Sequence, residues 1–262
     1  MVLNRSSTNL FFTLNNDQLE VVQSYKYLGI TFNTRRLTTL YTEHFSKIKQ
    51  KATRRLQCIK LFGYKNDGLR PETAIKLYKL LVRPILEYGA QVLIYDHFYL
   101  KTPLRGEKIG NRTDFVDQLE QFQTKALKYL IGCPKSTSSS IVRLFSGVEP
   151  LSSRFDLLKL RYFWKLSHGD KHNIAYRLYN CRRRNFLLAN KGFTYEVFNL
   201  CCKYNAINFW HGKIQGFTNP NIYIKKQVLK FNLKVDLENG NTACGFSDVY
   251  LQNVFKYQEK YQ

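Results

Sequence analysis

The run Val21-Val22-Gln23-Ser24-Tyr25-Lys26-Tyr27-Leu28-Gly29-Ile30-Thr31-Phe32, followed by an amphipathic basic stretch ending near Phe62, leaves its chain few ways to fold. Apolar, aromatic and β-branched residues crowd the first part, and Tyr25 to Phe32 predicts a strand. Gly29 lacks a Cβ there and lets a second backbone come close. In the second part Phe45, Ile48, Ala52, Leu56, Ile59 and Phe62 recur at three- and four-residue steps, the spacing of one buried helical stripe. Lys47, Lys51, Arg54 and Arg55 follow the same spacing on a neighbouring stripe. Thr42 is placed to cap this helix, and Glu43 in its first turn suits the helix dipole.

Between Glu20 and Asp67 the one acid is Glu43, against Lys26, Arg35, Arg36, Lys47, Lys49, Lys51, Arg54, Arg55, Lys60 and Lys65. The excess runs through the chain, whose formal net charge is +22 at pH 7. A field this one-sided attracts a polyanion, either nucleic acid or an anionic membrane surface. Part of it also follows from a general richness in Lys, Asn, Tyr, Phe and Ile, which the base composition of a coding sequence can produce by itself. The basic stripe has two readings of its own. It is a solvated helix face, or it neutralises phosphates without reading base sequence.

With 262 residues, 44% hydrophobic and 15% aromatic, the chain can bury a substantial core and predicts a globular protein. No stretch approaches the roughly 20 apolar residues of a membrane span. Met1-Val2-Leu3-Asn4-Arg5 has no apolar segment of a secretory leader. Six scattered cysteines suit reduced thiols better than a disulfide framework. The expectation is an intracellular protein, nuclear or cytoplasmic, not secreted and with no membrane partner.

Taken in order, Leu10 to Leu14 and Leu19 to Val22 predict a hairpin around Asn15-Asn16-Asp17, and Thr34 to Thr42 a loop. Gly63 to Arg70, with Asn66-Asp67-Gly68, reads as a turn, after which Pro71 opens a helix. Ala74, Ile75, Leu77, Tyr78, Leu81 and Val82 give that helix a wide buried face, and Pro84 should kink it. Tyr78 and Tyr88 read as core residues. Residues 96–112 suggest a surface loop. A helix from Asp114 to Ile131 ends at Gly132-Cys133-Pro134, before a Ser/Thr-rich loop from Lys135 to Ser140. Pro150 opens a helix to about His168, with Arg154, Lys159 and Arg161 as secondary phosphate candidates. Farther on, Arg182-Arg183-Arg184 is a basic run, Phe186 to Gly216 is aromatic-rich, Ile222 to Leu237 alternates partly like strands, and Ser247 to Tyr261 reads as a terminal helix.

Three stretches carry a family likeness: Tyr27-Leu28-Gly29-Ile30 before the basic Glu43-His44-Phe45 helix; Leu77 to Gly89; and Gln118 to Gln123 with Leu130-Ile131-Gly132-Cys133-Pro134. In this order and spacing they resemble the region after the catalytic palm in reverse transcriptases of non-LTR, LINE-type retrotransposons. The likeness covers about residues 1–166. It implies that Tyr27, Leu28 and Gly29 form a primer grip and that the helices after them form a thumb holding the template–primer duplex. By itself the Tyr-Leu-Gly run would be an ordinary core strand with a glycine bend.

Polymerases of this family hold two divalent metals on palm carboxylates, including a paired Asp-Asp, to clamp the transferred phosphoryl from both sides. This chain has no adjacent Asp pair. The likeness implies that the carboxylate hairpin would precede Met1. Asp114, Asp117 and Glu120 share a helix face but read as dipole-complementary surface acids. Some relatives carry a Cys/His zinc motif, and Cys201, Cys202 and His211 fall in the corresponding region. Adjacent cysteines lack the usual ligand spacing, so buried free thiols are expected instead. Asp236 and Glu238 are too loosely arranged for a nuclease.

The expectation is thus an α+β, predominantly α fold in three parts: 1–34, an end-of-palm hairpin and primer-grip strand; 35–168, a helical thumb; 169–262, a basic accessory region. By resemblance it is a truncated reverse-transcriptase fragment, non-catalytic alone, without metal or cofactor. It would bind RNA–DNA or other duplex through Tyr27, Leu28, Gly29, Lys47, Lys51, Arg54 and Arg55. The rival is a repurposed protein-interaction or architectural module that has kept the helices and lost the duplex.

Overall fold

The computed structural model describes residues 13–15, 17–18, 22, 24–33, 41–65, 68–93, 115–184, 192–213 and 219–244. The fold is mostly helical, with small antiparallel ribbons at the N-terminal end. β1 (Thr13–Leu14) pairs with β2 (Asp17–Gln18) across a turn beginning at Asn15, whose φ is 51°. β3 (Ser24–Tyr27) pairs with β4 (Ile30–Asn33), with Tyr25 opposite Phe32 and Tyr27 opposite Ile30.

The single strand expected from Tyr25 to Phe32 is therefore a hairpin folded at Leu28-Gly29. Both turn residues have positive φ, 45° and 83°, which a two-residue hairpin needs if its twist is to match that of the flanking strands. Glycine adopts this without strain, whereas the Leu28 backbone costs about 1 kcal/mol.

α1 (Thr42–Lys65) buries Phe45, Ile48, Ala52, Leu56 and Ile59. Phe62, expected on the same stripe, is 62% exposed. At about 100° per residue it lies roughly 80° from the centre of that stripe. The helix runs on to Lys65, and most of the turn expected at Asn66-Asp67-Gly68 falls outside the described residues.

α2 (Pro71–Leu77) starts with Pro71 in its first turn. Instead of a simple kink, the chain answers Pro84 with a π-helical turn at Tyr78–Val82, then continues as α3 (Arg83–Glu87). The Arg83 N–H reaches back to the Tyr78 carbonyl, one residue farther than in an α-helix. Widening there relieves the clash between the proline ring and the carbonyl four residues before it. Ala74, Tyr78, Val82, Leu86 and Ala90 are buried at a strict four-residue interval. Leu80 and Leu81 are exposed, so the apolar face is narrower than expected.

α4 (Phe115–Ile131) closes at Gly132, φ 77°, by two bonds: Gly132 N–H to the Tyr129 carbonyl at 3.2 Å and Cys133 N–H to the Lys128 carbonyl at 2.8 Å. A short helix, α5 (Ser139–Ser146), begins inside the segment expected as a loop, and α6 (Leu151–Ser167) follows Pro150. One core joins α1 to α4 and the first half of α6, through Phe45, Tyr78, Leu86, Leu119, Leu127 and Phe155. Inside it the Tyr78 hydroxyl donates to Gln123 Oε1 at 2.9 Å, and Gln123 Nε2 donates to the Glu149 carbonyl at 2.9 Å. Burial drives the Tyr78 pKa well above its usual value.

A second core uses the other half of α6 with α7 (Ile174–Arg184), α8 (Phe193–Lys203), α9 (Ile207–Trp210) and α10 (Pro220–Cys244). Phe163 stacks on Trp210 at 5.3 Å, and Arg183 lies over the same indole. The strand-like alternation from Ile222 to Leu237 is overturned, because α10 is helical through it. Ile224, Val228, Asn232 and Asp236 form its buried line at four-residue steps. Ser153 donates to Asn232 Oδ1 at 2.7 Å, and Arg143 pairs with Asp236. The expectations for 96–112 and Ser247 to Tyr261 fall outside the described residues. Among the described residues no helix is long and apolar enough to cross a membrane.

Candidate nucleic-acid interface

The β3–β4 hairpin is seated on two helices by named contacts. The Thr31 N–H donates to His44 Nδ1 at 3.4 Å, joining β4 to the first turn of α1. An accepting Nδ1 leaves the imidazole proton on Nε2. Burial holds the His44 pKa below its usual value, with Lys51 and Lys47 adding to the effect and the Tyr88 backbone carbonyl opposing it.

Tyr88 sits just beyond α3 and is 51% exposed, so it is not the core residue expected. Its hydroxyl donates to the Leu28 carbonyl, and its ring lies where a Gly29 Cβ would be, 2.9 to 3.2 Å from that position. Gly89, φ 79°, answers in kind: a Cβ there would meet Ile30 Cδ1 at 3.0 Å. Two stretches far apart in the chain, Leu28-Gly29-Ile30 and Tyr88-Gly89, thus fit each other backbone to side chain.

β4 faces the helices and β3 faces outward. Tyr25, Tyr27 and Leu28 are 51%, 58% and 74% exposed. On α1, Lys47, Lys51, Arg54 and Arg55 are all exposed. At about 100° per residue they span an arc of roughly 100°, over about 12 Å of helix axis. Lys47 also holds Glu43 at 2.6 Å, and this contact lowers the Glu43 pKa. The residues expected to bind duplex are therefore exposed, on a hairpin tip and a helix face joined through His44.

Two secondary phosphate candidates are committed elsewhere. Arg154 Nε donates to Glu87 Oε1 at 2.9 Å, with Glu149 at 3.6 Å, and Lys159 is buried against Glu196 at 2.5 Å. Neither is available to a phosphate. Arg161 remains, with its Nε buried and unpartnered.

Of the three acids expected to share a helix face, Asp114 lies outside the described residues and Glu120 is no surface acid. Its carboxylate accepts the Leu151 N–H at 2.6 Å and the Ser152 N–H at 3.3 Å, capping α6 from another element. Burial raises its pKa, and Arg143 opposes that shift. Only half of the expected buried thiol pair is buried. Cys201 is enclosed, its pKa pushed up to about 12 by burial, and Cys202 is exposed. Among the described residues no three His, Cys, Asp or Glu side chains cluster as metal ligands would.

No family model matches the chain, and neither a curated protein nor a solved structure matches it.

Proposed function

We propose that the chain binds the sugar–phosphate backbones of a nucleic-acid duplex without reading its sequence and without catalysis of its own, as a fragment of a LINE-type reverse transcriptase holding an RNA–DNA template–primer. The observation that carries this is the shared seat of the hairpin tip and the basic face. Tyr27, Leu28 and Gly29 project at one end of a helix whose Lys47, Lys51, Arg54 and Arg55 lie exposed along the next two turns. About 12 Å of helix axis matches roughly three successive phosphates of one strand. A cationic cylinder beside an exposed turn offers one surface to each backbone of a duplex end.

The test is duplex affinity against salt concentration for the full chain and for the variant with Lys47, Lys51, Arg54 and Arg55 all replaced by Ala. Each phosphate neutralised contributes roughly 0.9 to the slope of log affinity on log salt, so the variant should lose about 3 from that slope. An unchanged affinity and slope would refute the assignment and favour the rival, in which Tyr25, Tyr27 and Leu28 dock on a protein.

A further inference from the structure

One face of α6 carries Arg161 and Lys165, for which no acid lies within ion-pair distance among the described residues. Arg161, Lys165 and His168 line an open cleft of about 890 Å³, together with Gln91 and Asn221. Asn221 lies in the first turn of α10, at the positive end of the helix dipole, with its own N–H taken by Asn219 Oδ1 at 2.9 Å.

The charges around Arg161 are divided unequally. Arg143, Arg154 and Lys159 each have an acid within ion-pair distance. Among the described residues Arg161 and Lys165 have none, and no acid lines the cleft. Burial pushes the Arg161 pKa down and Arg154 adds to this, while Glu149 and Glu87, both engaged by Arg154, oppose it. A half-buried guanidinium whose Nε lacks an acceptor gains more from an incoming anion than a solvated one does.

His168 is held at the mouth of the cleft. Its ring stacks on Trp164 at 3.8 Å, and its Nδ1 lies 3.2 Å from the Trp164 carbonyl and 2.9 Å from Ser167 Oγ. A carbonyl can only accept, so the proton is placed on Nδ1 and Nε2 is left as an acceptor.

We propose that this cleft binds a phosphate group, with the Arg161 guanidinium as the fork that receives it and Lys165 as the second charge. A planar fork matches phosphate oxygens two at a time, which explains an arginine rather than a lysine at the inner position. The phosphate belongs either to a small phosphate ester or to a nucleic-acid strand. The second source rests on the function proposed above: Gln91, which lines this cleft, follows closely in the chain on Tyr88, the residue that supports the hairpin tip.

Inorganic phosphate is the first probe, its binding to the full chain followed by thermal stabilisation over chloride at matched ionic strength. Arg161→Gln should weaken it about tenfold or more, the scale of one charge-assisted hydrogen bond. Lys165→Gln, at an exposed position, should weaken it in the same direction and covers the case in which Arg161→Gln unfolds. Equal stabilisation of the wild type and both variants, or none in the wild type, would overturn the proposal. A duplex is the second probe. If the double variant loses about 2 from the salt slope, the phosphate is a strand's; if only the inorganic phosphate effect is lost, it is a small ester's. A failure of the duplex assignment at Lys47, Lys51, Arg54 and Arg55 leaves the inorganic phosphate result untouched, so the two proposals fail separately.

Discussion

The Tyr88 hydroxyl donates to the Leu28 carbonyl at 2.6 Å, across sixty residues of chain. The bond matters because Leu28 is a non-glycine residue at positive φ, a conformation that persists only where the surroundings hold it. Tyr88 supplies that hold while remaining half exposed.

Gly29→Ala should be the most damaging change at the hairpin. It adds a Cβ at φ 83° and within 3.0 Å of the Tyr88 ring, so a loss of about 1–3 kcal/mol is expected in urea unfolding. Tyr88→Phe removes only one hydrogen bond and should cost about 0.5–1.5 kcal/mol. In a Tyr88→Ala background the Gly29→Ala penalty should shrink but not vanish, since the positive φ remains.

His44 makes stability depend on pH. Its folded-state pKa lies below the unfolded value of about 6.5, so the unfolded chain takes up protons first as pH falls. The His44 contribution is complete above pH 6.5 and is lost as pH drops toward the depressed folded value. His44→Asn keeps an acceptor near the Nδ1 position and should flatten the urea midpoint across that window while the wild type declines.

Glu43→Gln should strengthen duplex binding. The acid engages Lys47 at 2.6 Å, so its removal frees one cation for phosphate. An increase of about 0.9 in the salt slope is expected.

Arg154→Met should destabilise without touching duplex affinity. It leaves Glu149 without its cation, while Glu87 keeps Arg83 at 3.3 Å. A cost on the order of 2 kcal/mol is expected, below the ~3–5 kcal/mol for a buried pair left wholly bare. A change in salt slope with unchanged stability would contradict the ion pair seen here.

Local periodicity made much of this architecture legible. The stripe from Phe45 to Ile59, the ends of α4 at Gly132-Cys133-Pro134, and Pro71 and Pro150 at helix starts all follow from short-range chemistry. What escaped was decided by partners distant in sequence. Leu28-Gly29 reads as mid-strand until Tyr88 is known to support the turn. Glu120 reads as a surface acid until the start of α6 arrives to use it, and Arg154 as a free cation until Glu87 does. For α10 the signal was present but outweighed: Ile224, Val228, Asn232 and Asp236 keep a four-residue step, two of them polar, and the partial alternation from Ile222 to Leu237 reads as strand. The candidate duplex residues were readable because exposed cations on an amphipathic helix declare themselves by spacing alone. The phosphate cleft was not, because its walls come from α6, the turn after α3 and the start of α10.

The widened turn at Tyr78–Val82 acts as a one-residue insert that sets the rotational phase of everything after it. Deleting a single residue there would tighten the turn to α-helical pitch, bring back the clash at Pro84, and swing α3 by about 100° about its axis. Tyr88 would then point away from Leu28, and the hairpin would lose its prop to a change nowhere near it.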